Sequence, residues 1–136
     1  MELIRITAQG EESLSEFYAR EAENGRKDGA IVLATMLEMM VELLDYLQTS
    51  AESPPVYAVT SHFKLRLITG DDYRLPTLAT IQAVVDGPKT FGFDIAYELP
   101  PAEAPWKHAW VHGLAVDVAQ AAQMILIALR RNAYAN

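Results

Sequence analysis

The sequence predicts an α+β domain, a three- to four-stranded antiparallel meander with two N-terminal helices and one C-terminal helix packed on one face. Three observations carry this. Apolar residues recur at helical spacing over 13–48, alternate with polar ones over 56–99, and return to helical spacing over 118–131. The connectors between the alternating segments are short, which suits antiparallel neighbours.

Taken in order, Leu3 to Thr7 can form a short strand. Ser13-x-x-Glu16 has capping-box spacing, Leu14, Phe17 and Tyr18 follow on one face, and Asn24-Gly25 offers a left-handed stop. Asp28 then caps a longer helix from about Gly29 to Gln48. Its polar positions Thr35, Glu38, Glu42 and Asp45 form one narrow stripe. So apolar a helix is expected between the sheet and other helices, or partly in a dimer, with Met36, Met39 and Met40 serving as core.

Beyond Ser53-Pro54-Pro55 the period changes to two. Val56–Thr69 is predicted as one strand, with Tyr57, Val59, Phe63, Leu65 and Leu67 inward and Thr60, His62, Lys64 and Arg66 outward. Lys64 and Arg66 are expected to protect an edge or to pair with acids across strands. Tyr73–Asp86 and Thr90–Leu99 follow as strands, Pro76 marking an edge, bulge or break. With Gly70-Asp71-Asp72 and Gly87-Pro88-Lys89 as hairpin loops, the odd-numbered apolar residues share one side. The other side sets His62 opposite Thr80 and Gln82 opposite Asp94. Trp106–His112 is the expected fourth strand. Asp117 with Gln120 caps a last helix, about Val118–Arg131, ending on Arg130 and Arg131 where cations suit the helix dipole.

The 136 residues (15.1 kDa) fit one domain, residues 1–53 forming an acidic helical part and 54–136 the sheet plus C-terminal helix. The absence of Cys excludes disulfides, thiolate metal sites and a cysteine nucleophile. Net charge is −7, and residues 1–53 hold all of it, with 11 acids against four bases. That balance argues against nucleic acid or an anionic membrane and for a protein partner with a basic surface. With neither an export signal nor a 20-residue apolar span visible, cytoplasmic residence is expected.

Chemical motifs are sparse. No nucleophile elbow, phosphate loop or dinucleotide fingerprint occurs, and no cofactor is expected. His108-x3-His112 has metal-ligand spacing on a helix, with Glu103 or Asp117 as a further oxygen ligand. These histidines alternate with Trp106 and Trp110 as on a strand, however, so no metal site is expected. The reading is a small non-enzymatic interaction module, a monomer or homodimer. It presents Glu38, Glu42 and Asp45 from the long helix, with His62, Gln82 and Asp94 as a polar patch on the sheet. In size, charge and compactness it resembles immunity proteins that neutralise bacterial toxins, antitoxins and other inhibitors of nucleic-acid-directed enzymes, although no motif singles out a family. The alternative is a small enzyme or ligand-binding domain using His62/Asp94 or His108/His112.

Overall fold

The capping box forms as its spacing requires. In the computed structural model, which describes residues 1–50, 52–85, 87 and 90–132, Ser13 Oγ accepts from the Glu16 amide and Glu16 Oε1 accepts from the Ser13 amide. Helix α1 (Leu14–Lys27) runs through the expected stop at Asn24-Gly25 and ends at Gly29, whose φ of 78° supplies the left-handed residue. Asp28 therefore closes α1 instead of opening the next helix. Gly25 is buried because a β-carbon there would lie 3.4 Å from the β-carbon of Ala34, so its missing side chain lets α1 lie close to α2 (Ile31–Ser50). α2 packs between α1 and α3 (Val118–Arg131) and buries Leu37, Met40, Leu43, Leu44 and Leu47. Asp117 caps α3 through the Gln120 amide, as expected.

The sheet is not the predicted three- to four-stranded antiparallel meander. It has six strands in chain order, β1 (Leu3–Arg5), β2 (Val56–Ser61), β3 (Lys64–Ile68), β4 (Ala79–Val85), β5 (Phe91–Glu98) and β6 (Trp110–Ala115). It is mixed, because β1 pairs with β2 in parallel while every other neighbour is antiparallel.

The extra strand inside 56–69 comes from a two-residue turn at His62-Phe63, both left-handed with φ of 48° and 69°. Such turns match the twist of a hairpin and are usually written Asn-Gly. His tolerates this region, whereas a bulky Phe does so at a cost of about 1–3 kcal/mol. Tertiary contacts hold it there. The Tyr18 hydroxyl donates to the Phe63 carbonyl at 2.9 Å, and the Phe63 and Phe17 rings lie 6.4 Å apart.

The turn also reverses which residues face inward. Ala58 pairs with Leu67 and Val59 with Arg66, so even-numbered residues of β2 share a face with odd-numbered residues of β3. Val56 and Ala58 join Leu65, Leu67, Ile81, Phe93 and Ile95 in the main core with the three helices. Tyr57 and Val59, expected inward, lie on the opposite face. There they pack with Ile6, Ile68 and Leu75 in a second, smaller cluster.

The predicted three-residue connector at Gly70-Asp71-Asp72 is instead a loop over 69–78, and β4 begins six residues later than predicted, at Ala79. Asp72 accepts from the Arg74 amide, the local turn that short acidic side chains favour, and Pro76 brings no N–H to a strand ladder. Of the expected Gly87-Pro88-Lys89 connector, Pro88 and Lys89 lie outside the described residues, as does Asp86. The fourth predicted strand starts at Trp110, so Trp106 and His108 precede β6. Among the described residues no helix is long and apolar enough to cross a membrane.

Candidate functional site

Three groups of side chains stand out, on both layers of the molecule. The first is the acidic stripe. Glu38, Glu42 and Asp45 are all exposed along the outward side of α2, but they are not equivalent. Arg26, in the last turn of α1, makes a two-pronged contact with Glu38, both N···O distances being 2.6 Å. Those hydrogen bonds hold the Glu38 carboxyl below its ordinary range. Glu42 and Asp45 have no basic side chain within 4.0 Å among the described residues. The other bases of this segment are consumed locally too. Arg5 and Arg20 meet Glu12, Arg20 also meets Glu21, and Lys27 meets Glu23. Exposed pairs of this kind add little stability, but each cancels one carboxylate of the surface potential.

The second group lies on the sheet face away from the helices. Gln82 faces Asp94 as expected, but His62 does not face Thr80, because it occupies the β2–β3 turn. Arg66 takes that place opposite Thr80. Asp94 instead meets His112, Oδ1 to Nδ1 at 3.3 Å, and Glu98 meets His108, Oε1 to Nδ1 at 2.8 Å. The pairings His62/Asp94 and His108/His112 are thus both replaced by a carboxylate–imidazole pair for each C-terminal histidine. Among the described residues no group of three or more His, Cys, Asp or Glu is placed to hold a metal.

His108, with φ of 59°, sits in a depression of about 390 Å³ beside Trp106, Pro101 and Leu99. A carboxylate on Nδ1 orients an imidazole as a general base requires. Among the described residues no hydroxyl or thiol lines this depression for such a base to activate, and the His108 side chain is 69% exposed. The arrangement orients a histidine at the surface without supplying a nucleophile.

The third group was not legible beforehand. Because of the parity change at the turn, Ser61, Lys64, Val59, Arg66 and Thr80 share the uncovered face, Ser61 pairing with Lys64 and Arg66 lying between Val59 and Thr80. They floor a groove of about 520 Å³, walled by the 3-10 turn Thr7–Gln9 on one side and Tyr73 on the other. Side-chain clamps fix both walls. The Gln9 amide imitates a strand neighbour, donating to the Thr60 carbonyl at 2.7 Å and accepting from its amide at 2.8 Å. Asp71 accepts from the Thr7 amide at 2.8 Å and from its hydroxyl at 2.5 Å, and these bonds pull its carboxyl below the ordinary range. Lys64 and Arg66 stand on an interior strand and have no acid partner among the described residues, contrary to the edge-protecting or ion-pairing role expected of them. An Asn-Gly at 62–63 would have marked the hairpin in the sequence; His-Phe does not.

No family model, curated protein or solved structure matches the chain.

Proposed function

We propose that the protein is a non-enzymatic interaction module that engages a protein partner with a basic surface through the helical layer, centred on Glu42 and Asp45. One observation supports this above the others. Every base in residues 1–53 is paired with an acid of the same segment, and Glu42 and Asp45 are exposed on the outer side of α2 with no basic partner among the described residues. Glu38 contributes less, since Arg26 already neutralises it. Unpaired carboxylates on a rigid helix steer a cationic surface and fix its register, and their effect weakens with salt. His62, Gln82 and Asp94 do not extend this surface. His62 lies at a turn and the other two on the far side of the sheet.

The test compares affinity capture by the natural protein, Glu42→Lys/Asp45→Lys, and a control of equal charge change, Glu2→Lys/Glu11→Lys. A basic partner retained by the control and lost from the α2 variant is the expected result. Equal loss from both variants, retention by both, or no basic partner captured by the natural protein overturns the reading.

A further inference from the structure

We propose that the groove on the uncovered sheet face is a binding site for a small molecule with a carboxylate or phosphate head and an apolar body. The observations are independent of the acidic helical layer, which lies across the sheet. The groove's volume, about 520 Å³, is in the range of small-ligand sites.

Its floor carries two cations with unused capacity. The Lys64 residue is exposed and its ammonium group has no hydrogen-bond or ion-pair partner among the described residues. Arg66 donates one Nη2 hydrogen to the Tyr73 carbonyl, while its Nη1 has no acceptor among the described residues. An anion is the partner that free guanidinium and ammonium N–H groups match best.

Among the described residues no carboxylate lines the groove to compete. The two acids of the adjoining loop are turned elsewhere, Asp71 to Thr7 and Asp72 to Arg74. Farther along the sheet, Asp94 is engaged by His112. On a chain of net charge −7, two unopposed bases side by side run against the general trend and create a local attractor for an anion. The Ser61 and Thr80 hydroxyls beside Lys64 and Arg66 can donate to remaining head-group oxygens. Ile6, Val59 and Tyr73 give the rest of the ligand an apolar wall. The site is preorganised by the Gln9–Thr60 and Asp71–Thr7 clamps, so binding has little ordering entropy to overcome.

The probes are benzoate and phenyl phosphate, which share one apolar body under two heads. Benzyl alcohol serves as the neutral control and sodium chloride as the ionic-strength control, each followed by amide chemical-shift titration. Saturable shifts at Ser61, Lys64, Arg66 and Thr80 are expected with one or both anions, and the stronger arm identifies the head. Lys64→Gln, at an exposed position, and Arg66→Gln should each weaken binding by about tenfold or more, the equivalent of one charge-assisted hydrogen bond. If Arg66→Gln fails to fold, Lys64→Gln decides alone. The proposal is overturned if neither anion gives a saturable shift, if benzyl alcohol or chloride reproduces it, or if Lys64→Gln leaves the affinity unchanged.

Discussion

Replacing Tyr18 by Phe removes one atom from the structure and tests how the groove-bearing hairpin is held. Tyr18 is fully buried at 0% exposure, and its hydroxyl is the donor to the carbonyl of left-handed Phe63. The ring and its edge contact with Phe17, centroids 5.2 Å apart, survive the change. What is lost is the hydrogen bond, and the partly buried Phe63 carbonyl is left without it, at a cost of about 1–3 kcal/mol. Each kcal/mol should lower Tm by roughly 3–5 °C for a chain of this length.

A second readout follows from ionisation. Burial raises the Tyr18 hydroxyl above its ordinary value, so above about pH 10 the unfolded chain releases a proton that the folded one keeps. The stability Tyr18 contributes is therefore fully present below its unfolded pKa and lost as pH rises beyond it, by up to about 1.4 kcal/mol per pH unit. Tyr18→Phe lacks this loss. Urea unfolding of both proteins at neutral pH, and again at about pH 9 and about pH 11, should show a gap that narrows or reverses at the highest pH. A variant as stable as the natural protein at neutral pH, or a gap unchanged between the two alkaline conditions, refutes this account of the turn.

Two glycines on the β5–β6 pair should respond to Ala to different degrees. At Gly92 a β-carbon would lie 2.7 Å from the Ala115 carbonyl oxygen, which belongs to a neighbouring strand and cannot swing aside, so Gly92→Ala should cost about 1–3 kcal/mol by urea unfolding. At Gly113 the obstruction is the terminal methyl of Met124, a flexible group that can move, and Gly113→Ala should cost less than about 1 kcal/mol; equal costs at the two sites would refute the distinction. Asp71→Ala should release the Thr7–Gln9 wall from the 69–78 loop, seen as faster hydrogen exchange at the Thr7 amide. Since the Thr7 bonds depress the Asp71 carboxyl, its contribution is present above the ordinary carboxylate range and lost as pH falls through the depressed value. Acidification should therefore loosen the Thr7 amide in the natural protein relative to neighbouring strands, and identical exchange in both proteins would count against the clamp.

The elements that could be read beforehand are those whose signal is local. Ser13-x-x-Glu16 and Asp117-x-x-Gln120 announce helix starts through side chains that meet amides three residues on, and both caps form. The exposure of Glu38, Glu42 and Asp45 follows from helical spacing, and Gln82 faces Asp94 in the antiparallel register of β4 and β5. The failures share a cause. A turn written His-Phe carries no Gly or Asn, so alternation runs unbroken through it, and the even-numbered parity of β2 stays hidden. Lys64 and Arg66 share the outward face with Thr80 as expected, but their neighbours on β2 are Ser61 and Val59 and not Thr60 and His62.

Periodicity alone specified which segments are helical and which are extended, and the count of charged residues set how the acids are divided between the two parts of the chain. Packing decided everything that depends on register. Arg26 cancels Glu38 because Gly25 lets two helices touch, and β1 joins the sheet in parallel from more than fifty residues away. Phe63 takes a left-handed conformation because Tyr18 and Phe17 hold it there. A backbone dihedral unfavourable in isolation is populated only when distant groups stabilise it. One such dihedral changes which side chains a strand shows to solvent, and with them the groove.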